Sequence, residues 1–174
     1  MKVIPLDREY TAKQVQAVLR RITNSQEKIG LALLNYYART DLVPTSGKTE
    51  SRGRQKYTYS DVVLLCWLFR MKAEGLPVNR FREGLEYLRK RLPKLYKSPA
   101  DMVMLTDGKQ LFVKHRVDDK NEIAEALTGR KAGQYVWMFA IGSLIEEVNQ
   151  IIKEQDEGVG ISENAEDLLD VVGR

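Results

Sequence analysis

The sequence predicts an α+β fold, mainly helical and in two parts, and three observations predict it. Apolar residues recur at helical spacing from Thr11 to about Leu92. From Asp101 the period shortens to that of strands around an Asp-Gly pair, and a last amphipathic helix follows. Charge divides at nearly the same place: residues 1–97 hold 20 Lys and Arg against 9 Asp and Glu, whereas residues 98–174 hold 8 against 15. We therefore read residues 1–97 as one domain, with a net charge of +11. Residues 98–174 form a second, small α+β domain with an acidic tail and a net charge of −7.

The first helix begins after Thr11, a residue suited to an N-cap, and turns Val15, Val18, Leu19 and Ile22 to one side. Thr23-Asn24-Ser25 breaks it. A second helix, from about Gln26 to Arg39, turns Ile29, Leu33 and one of Tyr36 and Tyr37 inward. Pro44 ends it, because proline disfavours helix at the residue before it. Thr45 to Gln55 is polar, basic and glycine-containing, and Lys56-Tyr57-Thr58-Tyr59 is rich in strand formers. Ser60 is the expected cap of a third helix to about Ala73. That helix is apolar nearly all round, as a central core helix should be, and Gly75 and Pro77 stop it. Asn79 caps a further helix with the stripe Phe81, Leu85, Leu88 and Leu92, ended by Pro93.

In the second part, Met102–Leu105 and Leu111–Val113 flank Asp107-Gly108, a pairing suited to a hairpin turn. A short helix over about Asn121–Leu127 and a buried third strand over Tyr135–Ile141 follow. The helix from about Ser143 to Glu154 carries Leu144, Ile145, Val148, Ile151 and Ile152 on one side. A last helical turn or two is expected at 163–172.

Composition narrows the function classes. At 43% hydrophobic and 30% charged, the chain has a globular balance rather than a disordered one. A single cysteine, Cys66, rules out an internal disulfide or a cysteine-rich zinc site, and its apolar surroundings point to a buried thiol. His115 is the sole histidine and has no serine, cysteine or acid at useful spacing. Asp118-Asp119 and Glu146-Glu147 read as solvated faces, and no glycine loop has phosphate-binding spacing. The sequence therefore predicts no catalytic residues, no metal site and no cofactor. The N-terminus lacks a signal-peptide core, and the longest apolar run, Val62–Phe69, is too short to span a bilayer. A cytoplasmic protein without membrane contact is expected.

Helix, turn, helix, basic loop with a strand, then further helices is the order of a winged helix-turn-helix. In that arrangement a second helix presents side chains to the major groove, and the wing reaches phosphate or the minor groove. The candidate DNA contacts are Lys28, Asn35, Tyr36, Tyr37 and Arg39 on or near the second helix. Lys48, Arg52, Arg54, Lys56 and Tyr57 are the candidates of the wing. A basic half suits a polyanion, and an acidic half suits another task.

At these residues the sequence resembles the MerR family of transcriptional regulators. The resemblance rests on Leu34-Asn35-Tyr36-Tyr37-Ala38-Arg39-Thr40-Asp41-Leu42-Val43-Pro44 and on Arg54-Gln55-Lys56-Tyr57-Thr58-Tyr59-Ser60-Asp61-Val62, and it covers roughly Tyr10 to Arg91. It implies that Tyr36 or Tyr37 and Arg39 contact phosphate, while Arg52 and Arg54 grip the backbone or minor groove. The chain departs from the family in a longer turn before the second helix and in Asp41, where the family carries glycine. It also lacks the long coiled coil and the large effector domain. The second half is similar to the C-terminal region of short MerR-like proteins, with the Asp-Gly hairpin and Gly133-Gln134 before an apolar strand. That similarity implies an autoregulatory repressor of a compact or mobile-element operon, of the toxin–antitoxin or CRISPR-associated transposon type.

A single winged domain touches few bases, so a homodimer on an inverted-repeat operator in double-stranded DNA is expected. Leu144, Ile145, Val148, Ile151 and Ile152 are the candidate dimerisation surface. The rival from another class is an antitoxin-like interaction subunit whose acidic half neutralises a protein partner, with DNA binding secondary.

Overall fold

The computed structural model describes residues 4–24, 29–47, 55–77, 82, 85, 86, 88–90, 102–106, 111–115 and 137–158. Mainly helical, with two small sheets, these residues make an α+β fold.

Helix α1 spans Ala12–Thr23 and starts from a reciprocal cap. Thr11 Oγ1 accepts the Gln14 backbone N–H at 3.4 Å, and Gln14 Oε1 accepts the Thr11 N–H at 2.8 Å. Its buried residues are Val15, Val18, Leu19 and Ile22, the stripe that the spacing predicts. Asn24 closes the helix in the left-handed region at φ 47°, a conformation its short amide tolerates.

Helix α2 spans Leu31–Arg39, starting later than the spacing suggests, with Gly30 at its N-cap. Leu34 and Tyr37 face the core and Leu33 is partly buried against it.

Helix α3, Tyr59–Ala73, is capped by Thr58 and not by Ser60. Thr58 Oγ1 accepts from the Asp61 N–H, while the Asp61 carboxylate accepts from the Thr58 N–H at 2.8 Å. Val62 through Phe69 are all buried, with Met71, so this helix is the axis of the core. Gly75, at φ 75°, turns the chain out of α3, and its N–H reaches the Lys72 carbonyl. Beyond it, residues 82, 85, 86 and 88–90 are helical, with Leu85 and Leu88 buried.

Two-residue strands β1 (Glu9–Tyr10) and β2 (Tyr57–Thr58) pair antiparallel, so the strand expected in the wing is held by the segment that precedes α1. The second sheet has the order β4-β3-β5, from β3 (Met102–Thr106), β4 (Leu111–His115) and β5 (Trp137–Ala140). Both pairings are antiparallel. Thr106 faces Leu111 across the first of them, so the hairpin connection around Asp107-Gly108 is four residues long. Among the described strands β5 lies at an edge of its sheet, with Met138 65% exposed and Phe139 partly buried against the core.

Helix α4, Ile141–Asp156, brings a correction. Its stripe of Leu144, Ile145, Val148, Ile151 and Ile152 is buried within one chain, in the same cluster as the core of α1 and α3. The stripe therefore offers no exposed face to a second copy. An amphipathic stripe read from sequence cannot distinguish a partner chain from the chain's own helices.

Polar contacts reinforce the same seam. Arg8 pairs with Asp156, Arg21 with Glu154, and Arg70 of α3 with Glu147. Tyr59 donates its hydroxyl hydrogen to Asn149 Oδ1 at 2.7 Å. The buried side chains of α4 thus join those of α1 and α3 in one cluster. Glu147 is not simply solvated, although Glu146 is exposed. Cys66 is fully buried, and burial pushes its thiol well above the usual range.

The expected features at Ser25–Lys28, Asn79, 121–127 and 163–172 lie outside the described residues.

Candidate nucleic-acid interface

The outward face of α2 carries Leu31, Asn35 and Arg39 at intervals of four, so they form one stripe along the helix. This face borders an open groove of about 860 Å³, closed on its other sides by the start of α1 and by β2. Lys13 enters it from α1 and Lys56 from the β2 side. Three cationic side chains, the amides of Asn35 and Gln55 and an exposed leucine thus share one concave surface. Glu9 moderates the charge, with its carboxylate 3.6 Å from the Lys56 ammonium.

Of the residues expected on DNA, Asn35, Tyr36 and Arg39 are exposed. Tyr36 is 51% exposed and stands with its ring 5.7 Å from that of Tyr37, edge to face. Tyr37 is 4% exposed and packs edge-on to Phe69 at 5.8 Å. Tyr57 is 2% exposed, at the seam with β1. Burial raises the pKa of both Tyr37 and Tyr57. Neither is a surface residue, because the core spends their rings on packing. Lys28, Lys48, Arg52 and Arg54 lie outside the described residues.

The structure adds Lys13, which its place in the sequence does not single out. Its signal was weak, since it sits in the first turn of a helix whose visible task is to bury Val15, Val18 and Leu19.

The loop between α2 and β2 is fixed at its base by a buried carboxylate. Asp61, fully buried, accepts from the Ser46 N–H at 2.8 Å, the Ser46 hydroxyl at 2.9 Å and the Thr58 N–H at 2.8 Å. Such a set satisfies the charge that burial would otherwise penalise. Gln55 donates to Thr45 Oγ1 beside it. Gly47 lies so close that a Cβ there would stand 2.3 Å from the Lys56 carbonyl oxygen. Gly47 and Lys56 are therefore held side by side, with Ser46 and Thr58 tied to the same carboxylate. Two arginines brace the same region from behind. Arg82 donates to the Asp41 carbonyl at 2.8 Å, and Arg89 to Ser46 Oγ at 2.6 Å. Asp41 holds φ 55°, a left-handed conformation that explains why a glycine suits this position.

Among the described residues no cluster of three or more His, Cys, Asp or Glu side chains is placed to hold a metal. Among the same residues no helix is long and apolar enough to cross a membrane.

No family model matches the chain. It is similar to two uncharacterized HTH-type transcriptional regulators of Mycobacterium tuberculosis and one of Mycobacterium bovis. Each is 25% identical over 123 residues, covering 70% of this chain and 51% of the relative. The chain thus spans about half the length of the curated relatives it matches.

Proposed function

We propose that this protein is a non-enzymatic, DNA-binding transcriptional regulator of MerR type, whose α2 enters the major groove while the 48–54 segment acts as its wing. The observation that carries the reading is the stripe of Leu31, Asn35 and Arg39 on the open face of α2, flanked by Lys13 and Lys56. The similarity to regulators named for a helix-turn-helix supports it. In this reading Arg39, Lys13 and Lys56 hold phosphates, Tyr36 adds a hydroxyl contact, and Arg52 and Arg54 grip the backbone from the wing. Two copies bind an inverted repeat and repress a compact or mobile-element operon. The rival reading, an acidic half that neutralises a protein partner, has less to draw on, because Glu147, Glu154 and Asp156 are paired within the chain.

The test is binding to duplex DNA across a salt series. Each phosphate contact contributes roughly 0.9 to the slope of log affinity against log salt. Lys13→Ala, Arg39→Ala and the Arg52→Ala/Arg54→Ala pair should each shorten the slope. A slope unchanged in all of them sinks the proposed face. Light scattering of the protein with and without operator checks the dimer.

A further inference from the structure

Phosphate contacts position a protein on a duplex but carry no sequence information directly. The question that the groove leaves open is which side chains read bases. Arg39, Lys13 and Lys56 suit phosphate, and Tyr37 and Tyr57 are buried. Two residues of the α2 stripe remain, and their chemistry is specific.

Asn35 is exposed on α2 and its carboxamide makes no hydrogen bond among the described residues, so it presents a donor and an acceptor side by side. In the major groove only adenine offers the matching pair, the N7 acceptor and the N6 amino donor. Leu31 is the first residue of α2 and is 52% exposed, among charged and polar neighbours. The apolar feature of the major groove is the C5-methyl of thymine. Residues four apart on a helix have Cβ atoms about 5–6 Å apart. Base pairs rise about 3.4 Å each, so the two side chains fall one or two base-pair steps from one another.

We infer that Asn35 and Leu31 are the base-reading pair of α2, Asn35 taking an adenine by two hydrogen bonds and Leu31 packing on a thymine methyl one or two steps away. The inference rests on the DNA-binding reading and names the sequence class that the face selects, an A·T-containing step. It also gives the helix a polarity on DNA. The N-terminal end reads bases, and the C-terminal end, at Arg39, meets the backbone.

The experiment is selection of bound duplexes from a random library by the full chain at near-physiological salt. Wild type, Asn35→Ala and Leu31→Ala are run in parallel. Both side chains are exposed, so neither change opens the core. The expected wild-type motif contains an adenine column and a thymine column within two positions of each other. Asn35→Ala flattens the adenine column, lowering discrimination there by about 5- to 150-fold, while the remaining columns persist. Leu31→Ala relaxes the thymine column alone. The selected duplex is then remade with 7-deazaadenine for that adenine, or with uracil for that thymine. Wild type loses affinity for each, whereas the variant lacking the matching side chain no longer distinguishes the altered base. A motif whose columns are the same in Asn35→Ala and in wild type overturns this inference and leaves the DNA-binding reading standing. Absence of any motif with wild type overturns both.

Discussion

Arg8 grips Asp156 through two parallel N–H···O bonds of 2.7 and 2.6 Å, across 148 residues of sequence. The pair joins the segment before α1 to the last turn of α4. It belongs to a series, with Arg21–Glu154 and Arg70–Glu147, in which arginines of the basic half meet acids of the acidic half. Part of the charge division visible in the sequence is thus used inside the fold, to seat α4. The pairs are substantially exposed, and such pairs typically contribute only about 0–1 kcal/mol each. Burial of the apolar stripe does most of the seating, and the charges fix its register.

Glu154 supplies a pH test of that seam. Hydrogen bonds from Arg21 and Gln150 hold its carboxyl below the ordinary value of 4.5. A depressed carboxylate stabilises the folded state above its unfolded pKa, and the increment is lost as pH falls through the folded value. Wild type should therefore lose a small increment of stability as pH drops from about 5 through the depressed value. Glu154→Gln should lack that increment. Urea midpoints at several acidic pH values check the difference.

Ile145→Asp separates two roles for α4. Ile145 is 1% exposed within a single chain, so the change buries an unpaired carboxylate. The expected outcome is a loss of about 3–5 kcal/mol in unfolding free energy, with a fall in helical circular dichroism on warming. A variant that kept wild-type stability and changed only from dimer to monomer would contradict the packing described for this helix.

Asp61→Ala removes the acceptor of Ser46 and Thr58 together. Donors left without partners at a buried site make this costly, about 2–4 kcal/mol. Proteolysis should also open the segment between α2 and β2 first. Cleavage that began elsewhere would show that the carboxylate does not anchor this loop.

Gly47 and Asp41 differ in what a side chain meets. At Gly47 a Cβ would press on the Lys56 backbone, so Gly47→Ala should cost about 1–3 kcal/mol. At Asp41 the constraint is φ, and left-handed backbone costs most L-residues roughly 1–2 kcal/mol. Asp41→Gly should thus be neutral or stabilising, and Asp41→Val destabilising. Thermal melts of the three variants distinguish them.

Much of this was legible in the residues. Val15, Val18, Leu19 and Ile22 declare α1 by spacing, and the unbroken run from Val62 declares a helix surrounded by core. The Thr58-x-x-Asp61 capping pattern was there to be seen, but it was overshadowed by Ser60, which stands nearer the apolar run. What could not be read was destination. Leu144 to Ile152 mark a face that must be covered, and only the fold shows that α1 and α3 cover it. Strand β1 is two residues long and carries no periodicity at all, so only its partner Tyr57–Thr58 reveals it. In the candidate site, Asn35 and Arg39 were legible as groove-facing candidates, and both are exposed. The tyrosine pair required three dimensions to divide into one ring in the core and one outside.

Cys66 sits at the centre of what α1, α3 and α4 share, and it is the chain's single cysteine. Sealed there and held as the neutral thiol, it is poorly placed to react with an oxidant or an alkylating reagent while the helices stay closed. The protein therefore carries its own clock for core opening. The rate at which a thiol reagent consumes this one sulfur reports the openings, local or global, that expose it, and tracks their population when reclosing is faster than reaction.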